Sequence, residues 1–176
     1  GYTSATGDLE ARKAISRDLN ARYGADTKPE EFFLGCGAAP ELCSVFRALS
    51  VPGGELIAVA PYFPEYRPFA QEAGLQFKVV PPDVPDFQIS LPRLEALITP
   101  HTQAVLINTP NNPSGVVYTR ETLQALAALL TRKAEHYGHP IYLISDEPYR
   151  ELAYGVEVPF VPGIYRDTLI CYSYSK

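Results

Sequence analysis

The residues of this chain that could do chemistry stand directly after short apolar runs. Asp146-Glu147-Pro148-Tyr149 follows Ile141-Tyr142-Leu143-Ile144, and Asn108-Thr109-Pro110-Asn111-Asn112-Pro113 follows Ala104-Val105-Leu106-Ile107. Ser173-Tyr174-Ser175-Lys176 follows Leu169-Ile170-Cys171-Tyr172, and Pro61-Tyr62-Phe63-Pro64 follows Leu56 to Ala60. Gly35-Cys36-Gly37-Ala38-Ala39 leads from Phe32-Phe33-Leu34 into a helical pattern. Backbone N–H groups at such a helix start can hold an anion such as phosphate. Taken singly, each feature has an ordinary structural explanation. Asp146 reads as a capping carboxylate, Asn111 to Gly115 as a strand-to-helix turn, Phe63 as core packing and Lys176 as a terminal lysine.

The elements that must position these residues are legible from periodicity. Leu9, Ile15, Leu19 and Tyr23 recur at helical spacing, with arginines and lysines elsewhere on the surface, so Asp8 to Tyr23 is expected to be a helix. Gly7-Asp8 supplies its cap and Gly24 its stop. Further helices are expected from about Pro40 to Leu49, Pro64 to Ala73, Leu91 to Ile98 and Thr119 to Tyr137. Between them lie the strand-like runs 56–60, 77–80, 104–107, 141–144 and 169–172. Apolar strands alternating with helices predict an α/β fold: three layers, α/β/α, around a mostly parallel sheet. Ligands of such sheets bind beyond the carboxyl ends of the strands, which is where the polar and aromatic residues collect.

Length and composition narrow the function classes. At roughly 150 residues per domain, 176 residues make about one domain. An apolar fraction of 46% with 20% charged residues is an ordinary globular balance. No apolar run approaches the roughly 18 residues that span a bilayer. The net charge of −5, without a basic run, gives little support to nucleic-acid binding. Cys36, Cys43 and Cys171 make no zinc-ligand spacing, so no metal is expected, and they read as reduced, mostly buried thiols of a cytoplasmic protein. His101, His136 and His139 read as surface residues near turns or a helix end.

The order of these motifs is more specific than any one of them. Gly-Ala-Ala before a helix, Pro-x-aromatic-Pro, Asn-Asn-Pro-Ser-Gly, Asp-x-x-Tyr and Ser-x-Ser-Lys succeed one another along the whole chain. The series resembles the class I/II aminotransferases, fold-type I enzymes dependent on pyridoxal 5′-phosphate. The opening Tyr2-x-x-x-x-Gly7 with Leu9 and Arg12 is similar to that family as well.

The resemblance implies a role for each matching position. Lys176 would form the Schiff base with the cofactor aldehyde and move the proton at the substrate Cα. Asp146 would pair with the pyridine nitrogen and keep it protonated. Asn112 and Tyr149 would hydrogen-bond the ring's 3′ oxygen, and Phe63 would stack on the ring. Gly37, Ala38, Ala39 and Ser173 would bind the phosphate, with backbone contacts only at the two alanines. Tyr2 would reach the phosphate of the neighbouring subunit, which implies a homodimer with shared active sites. Amino acids and 2-oxo acids would be the substrates, with no nucleic acid or membrane as partner. The family also carries two arginines, one for phosphate and one for the substrate carboxylate, that would follow Lys176. Residues 1–176 are therefore expected to form an incomplete cofactor-binding large domain, without the small domain and the N-terminal segment. The same motifs would serve a carbon–sulfur lyase, another fold-type I reaction, or a non-catalytic sensing domain of a transcription regulator.

Overall fold

A computed structural model describes residues 4–176. They divide into two compact units, with the boundary between Cys36 and Gly37.

The first unit holds helix α1, Leu9–Tyr23, and a turn of 3-10 helix at Pro29–Glu31. Asp8 caps α1 by accepting from Ala11 N at 2.8 Å. The buried face of α1 is polar. Arg12 and Ser16 are its buried residues, and with Asn20 they stand one turn apart. Arg12 Nη1 donates to Pro29 O at 2.8 Å, and Ser16 Oγ to Thr27 O at 2.7 Å. Asn20 donates to Thr27 O and accepts from Thr27 N. The expectation that the arginines lie on the surface therefore fails for Arg12. Within this unit Arg12 ties the helix to the returning chain, while Leu9 is exposed.

The second unit is built on five strands: β1 Glu55–Val59, β2 Gln76–Val80, β3 Thr102–Asn108, β4 Tyr142–Asp146 and β5 Thr168–Cys171. All four pairings are parallel, in the order β2-β1-β3-β4-β5. The helices are α2 Ala38–Ala48, α3 Tyr66–Glu72, α4 Leu91–Leu97 and α5 Arg120–Tyr137. Strand side chains alternate between two cores. Leu56, Ala58, Ala104, Leu106 and Ile144 pack with Leu42 and Phe46 of α2 and Tyr66 and Ala70 of α3. Ile57, Val59, Val105, Ile107 and Leu143 pack with Leu94 of α4 and Leu123, Leu126 and Leu130 of α5. This is the expected three-layer α/β/α arrangement, with helices on both faces of a parallel sheet.

A partly buried ion pair links the amino end of β1 to β2. Glu55 opens β1 and meets Lys78 Nζ at 2.6 Å, Thr99 Oγ1 at 2.7 Å and Thr102 Oγ1 at 3.1 Å. Burial pushes the Glu55 carboxyl up, but these partners outweigh it and hold it below its ordinary value. Thr119 caps α5 by accepting from Thr122 N at 3.1 Å, and Gly138 ends it in the left-handed conformation.

The thiols depart from expectation. Only Cys171 is buried, whereas Cys36 and Cys43 are exposed. Cys43 falls on the solvent side of α2, one residue past buried Leu42. No helix among the described residues is long and apolar enough to cross a membrane.

Candidate active site

The strand order creates a switch point between β1 and β3. The chain leaving β1 enters α3 on one face, and the chain leaving β3 reaches α5 on the other. A crevice outside the carboxyl ends follows from that divergence. Asn111 bridges its two sides: its Nδ2 donates to Pro61 O, in the loop after β1, at 2.9 Å.

Asp146 is the last residue of β4, next to this crevice, and is only 5% exposed. Its Cα partners are Asn108, the last residue of β3, and Cys171, the last of β5. Asn108 Nδ2 donates to Asp146 O at 2.8 Å and lies 3.5 Å from Oδ2. The Tyr66 hydroxyl donates to the same Oδ2. Asp146 Oδ1 is buried and has no hydrogen-bond partner among the described residues. Burial pushes the Asp146 carboxyl up to about 6, and the Tyr66 hydrogen bond works against that rise. A buried carboxylate oxygen with no donor costs about 1–3 kcal/mol or more. Such an atom suits a ligand that brings its own N–H donor, above all a cationic one.

Asn108 also joins Asp146 to the turn that follows β3. Its Oδ1 accepts from Asn112 N at 2.5 Å. The turn is held internally by Asn111, whose Oδ1 accepts from Ser114 N at 3.0 Å and Ser114 Oγ at 2.7 Å. Asn112 and Tyr149 are both half-buried and line one open cavity of about 480 Å³, with Pro110, Gly115, Leu152 and Tyr154. The structure thus brings Asn112 and Tyr149 to one cavity.

Tyr149 owes its place to a buried ionic frame. Glu147 is fully buried; it accepts from Ser145 Oγ at 2.6 Å and from Arg150 Nε at 2.6 Å. Arg150 also donates to Val158 O and Pro159 O, each at 2.8 Å. Tyr149 lies between these anchored residues.

Phe63 packs edge-to-face on Tyr66, with ring centroids 5.7 Å apart, so it neighbours the Tyr66–Asp146 pair. Gly37 caps α2 with φ +116 and no side-chain hydrogen bond. A Cβ at that position would meet nothing within 4 Å, so backbone conformation and not space selects glycine. In the first turn of α2 the N–H groups of Ala38 and Ala39 are the ones available to an anion, since Pro40 carries none. Ser173 and Lys176 follow β5 beyond the same rim. Ser173 Oγ lies 2.7 Å from Ser175 Oγ. Lys176 is exposed, and no contact among the described residues ties it to Asp146, Asn112 or Tyr149. Tyr2 lies outside the described residues. Among them, no group of three or more His, Cys, Asp or Glu could hold a metal ion.

Sequence reasoning missed Tyr66, Asn108, Glu147 and Arg150. Asn108 carried a signal, since it ends β3 as Asp146 ends β4. For Tyr66 the clue was weaker: a tyrosine on the buried face of a short helix needs a partner for its hydroxyl.

Comparison with known proteins agrees with this fold. The family model for aminotransferase class I and II matches residues 1–176. An aspartate aminotransferase from Thermotoga maritima is 39% identical over 154 residues, 87% of this chain and 39% of that protein. An aspartate/prephenate aminotransferase from Thermus thermophilus is 36% identical over 167 residues, 92% of this chain and 40% of that protein. Among solved structures, an amino transferase from Eubacterium rectale superposes with a TM-score of 0.98 at 49% identity, covering 100% of this chain and 45% of that one. The Thermus thermophilus aspartate aminotransferase with maleate gives 0.90 at 32% identity, covering 100% and 45%. The chain thus spans less than half the length of these relatives. Sequence and fold agree: the chain belongs to the class I and II aminotransferase family, whose enzymes depend on pyridoxal 5′-phosphate.

Proposed function

We propose that this chain is the cofactor-binding domain of an aminotransferase that moves an amino group between an amino acid and a 2-oxo acid. The observation that carries the reading is Asp146 Oδ1, a buried carboxylate oxygen without a donor at the carboxyl end of β4. The protonated ring nitrogen of pyridoxal 5′-phosphate is the cationic N–H donor this oxygen suits. When bound, the cofactor supplies an electron sink for charge developing at the substrate Cα.

The chain's own residues do the rest. Asp146 keeps the ring nitrogen protonated. Asn112 and Tyr149 would hold the 3′ oxygen, and Phe63 would cover a ring face. Gly37, Ala38 and Ala39 offer backbone N–H groups to the phosphate, with Ser173 adding a hydroxyl. Lys176 would provide the amine that holds the cofactor, and the same amine would carry the proton at the substrate Cα. Tyr2 serves the phosphate of a second subunit, so the enzyme works as a homodimer with shared sites, in the cytoplasm. The relatives' names make aspartate the first donor to try.

The test supplies the full-length protein with pyridoxal 5′-phosphate, aspartate or another common amino acid, and a 2-oxo acid acceptor. Acceptor-dependent formation of the donor's 2-oxo acid is expected. No such product with any common donor overturns the reading. Pyruvate and ammonia released without an acceptor would replace it with an elimination reaction.

A further inference from the structure

The two carboxylate oxygens of Asp146 are in different circumstances. Oδ2 accepts from the Tyr66 hydroxyl and lies 3.5 Å from Asn108 Nδ2, whereas Oδ1 is buried and unpartnered. A carboxylate without such contacts would present either oxygen. Here donors from two separate elements, α3 and β3, converge on the same one. Tyr66 is itself fixed in place. Its ring is fully buried, stacked with Tyr62 at 6.2 Å and met by the edge of Phe63 at 5.7 Å. Its hydroxyl keeps its proton, because burial and then the Asp146 charge push its pKa far above the ordinary tyrosine value.

We propose that Tyr66 is a positioning residue for Asp146: it occupies Oδ2, leaves Oδ1 as the oxygen that meets the cofactor's ring nitrogen, and keeps the carboxyl ionised. This rests on the reading of Asp146 as the ring nitrogen's partner.

The surroundings leave that task to Tyr66. Glu147, next along the chain, adds negative charge but is engaged by Arg150. Cys171 on β5 stays a neutral thiol, since burial and then the Asp146 charge raise it. Glu41 of α2 acts on that thiol as a further negative charge. Tyr118, near Tyr66, is likewise raised by burial and stays neutral. Against burial, the Tyr66 hydroxyl is the group that favours the Asp146 carboxylate. Removing it therefore raises the pH below which Asp146 is neutral and cannot hold a cationic ring.

The experiment measures retention of pyridoxal 5′-phosphate by the full-length protein as pH is lowered through about 6, comparing the parent with Tyr66→Phe. The control is Tyr165→Phe, which removes another buried hydroxyl, one that donates to Ile141 O at 2.8 Å at the far end of β4. Tyr66→Phe is expected to move the acid limit of binding up by about one pH unit. Tyr165→Phe should leave that limit where it is. A parent that binds no cofactor overturns the proposed function and this inference with it. A parent that binds, with an unmoved limit in Tyr66→Phe, overturns the role of Tyr66 alone. If Tyr66→Phe does not fold, 3-fluorotyrosine at position 66 keeps the packing and strengthens the donor. The limit should then move down, and an unchanged limit overturns the proposal.

Discussion

Arg150 and Glu147 form a buried pair in which Nε and Nη2 of the arginine each lie 2.6 Å from Oε2 of the glutamate. The arginine also donates to Val158 O and Pro159 O, so one side chain holds both the turn carrying Tyr149 and the segment that returns past it. Removing one partner of a buried pair strands the other charge, which costs about 3–5 kcal/mol. Arg150→Met should lower stability by that order and loosen Tyr149. Lysine has no planar fork and cannot make all these contacts at once, so Arg150→Lys should recover only part of the loss. Chemical denaturation midpoints of the full-length variants check the ranking. Equal stability of parent and Arg150→Met would refute the role of the frame.

Asp146 gives a pH prediction for the cofactor-free protein. Its folded pKa of about 6 lies above the ordinary carboxylate value, because burial disfavours the charge. Such a group lends full stability below its unfolded pKa of about 3.9 and loses it as pH rises through about 6. The loss, about two pKa units, is on the order of 3 kcal/mol. Asp146→Asn keeps the shape and cannot ionise. The apo variant should therefore match the parent in acid and exceed it in stability at neutral pH. Once cofactor is added, the order should reverse, and turnover by the variant should fall by about 10²–10³-fold. Thermal unfolding of apo and loaded forms on both sides of pH 6 measures this. A pH-independent gap between variant and parent would contradict it.

These two cases show what was legible before the structure and what was not. Asp146 could be found because a carboxylate after a continuous apolar run is a local pattern, and so could β1, β3 and β4, whose apolar runs 56–60, 104–107 and 141–144 are unbroken. The partners of Asp146 were hidden because they are not local. Tyr66 lies 80 residues away in sequence, and only the pairing of β1 with β3 and β3 with β4 brings its helix over the end of β4. Arg12 misled for a related reason. Helical periodicity marks apolar stripes, but the inward face of α1 is set by carbonyls at Thr27 and Pro29 that need donors. Cys43 misled because an apolar neighbourhood along the chain says nothing about which side of α2 a residue occupies.

Lys176 follows β5 at the rim where Asp146 ends β4, and attachment of the cofactor through its Nζ is a chemical claim that can be read directly. Borohydride reduction of the loaded full-length protein should fix the cofactor to the peptide containing Lys176, as seen by mass spectrometry. Lys176→Ala should lose both that label and the visible absorption band of the attached cofactor. A label on another lysine, or an unchanged spectrum in the variant, would move the assignment elsewhere.

Gly37 separates two ways in which a phosphate cradle can fail. Its φ of +116 with ψ of 170 belongs to a region that is essentially confined to glycine, yet a Cβ there would touch nothing within 4 Å. Gly37→Ala should therefore act through the backbone, costing about 1–3 kcal/mol if the conformation is kept. If the backbone relaxes, the N–H groups at the start of α2 turn away from the anion. Either way the cofactor should bind more weakly. A phosphate-free analogue, pyridoxal, should lose less affinity than pyridoxal 5′-phosphate if the first turn of α2 holds the phosphate. Equal losses for the two would place the phosphate elsewhere, and leave Gly37 as a requirement of the α2 start alone.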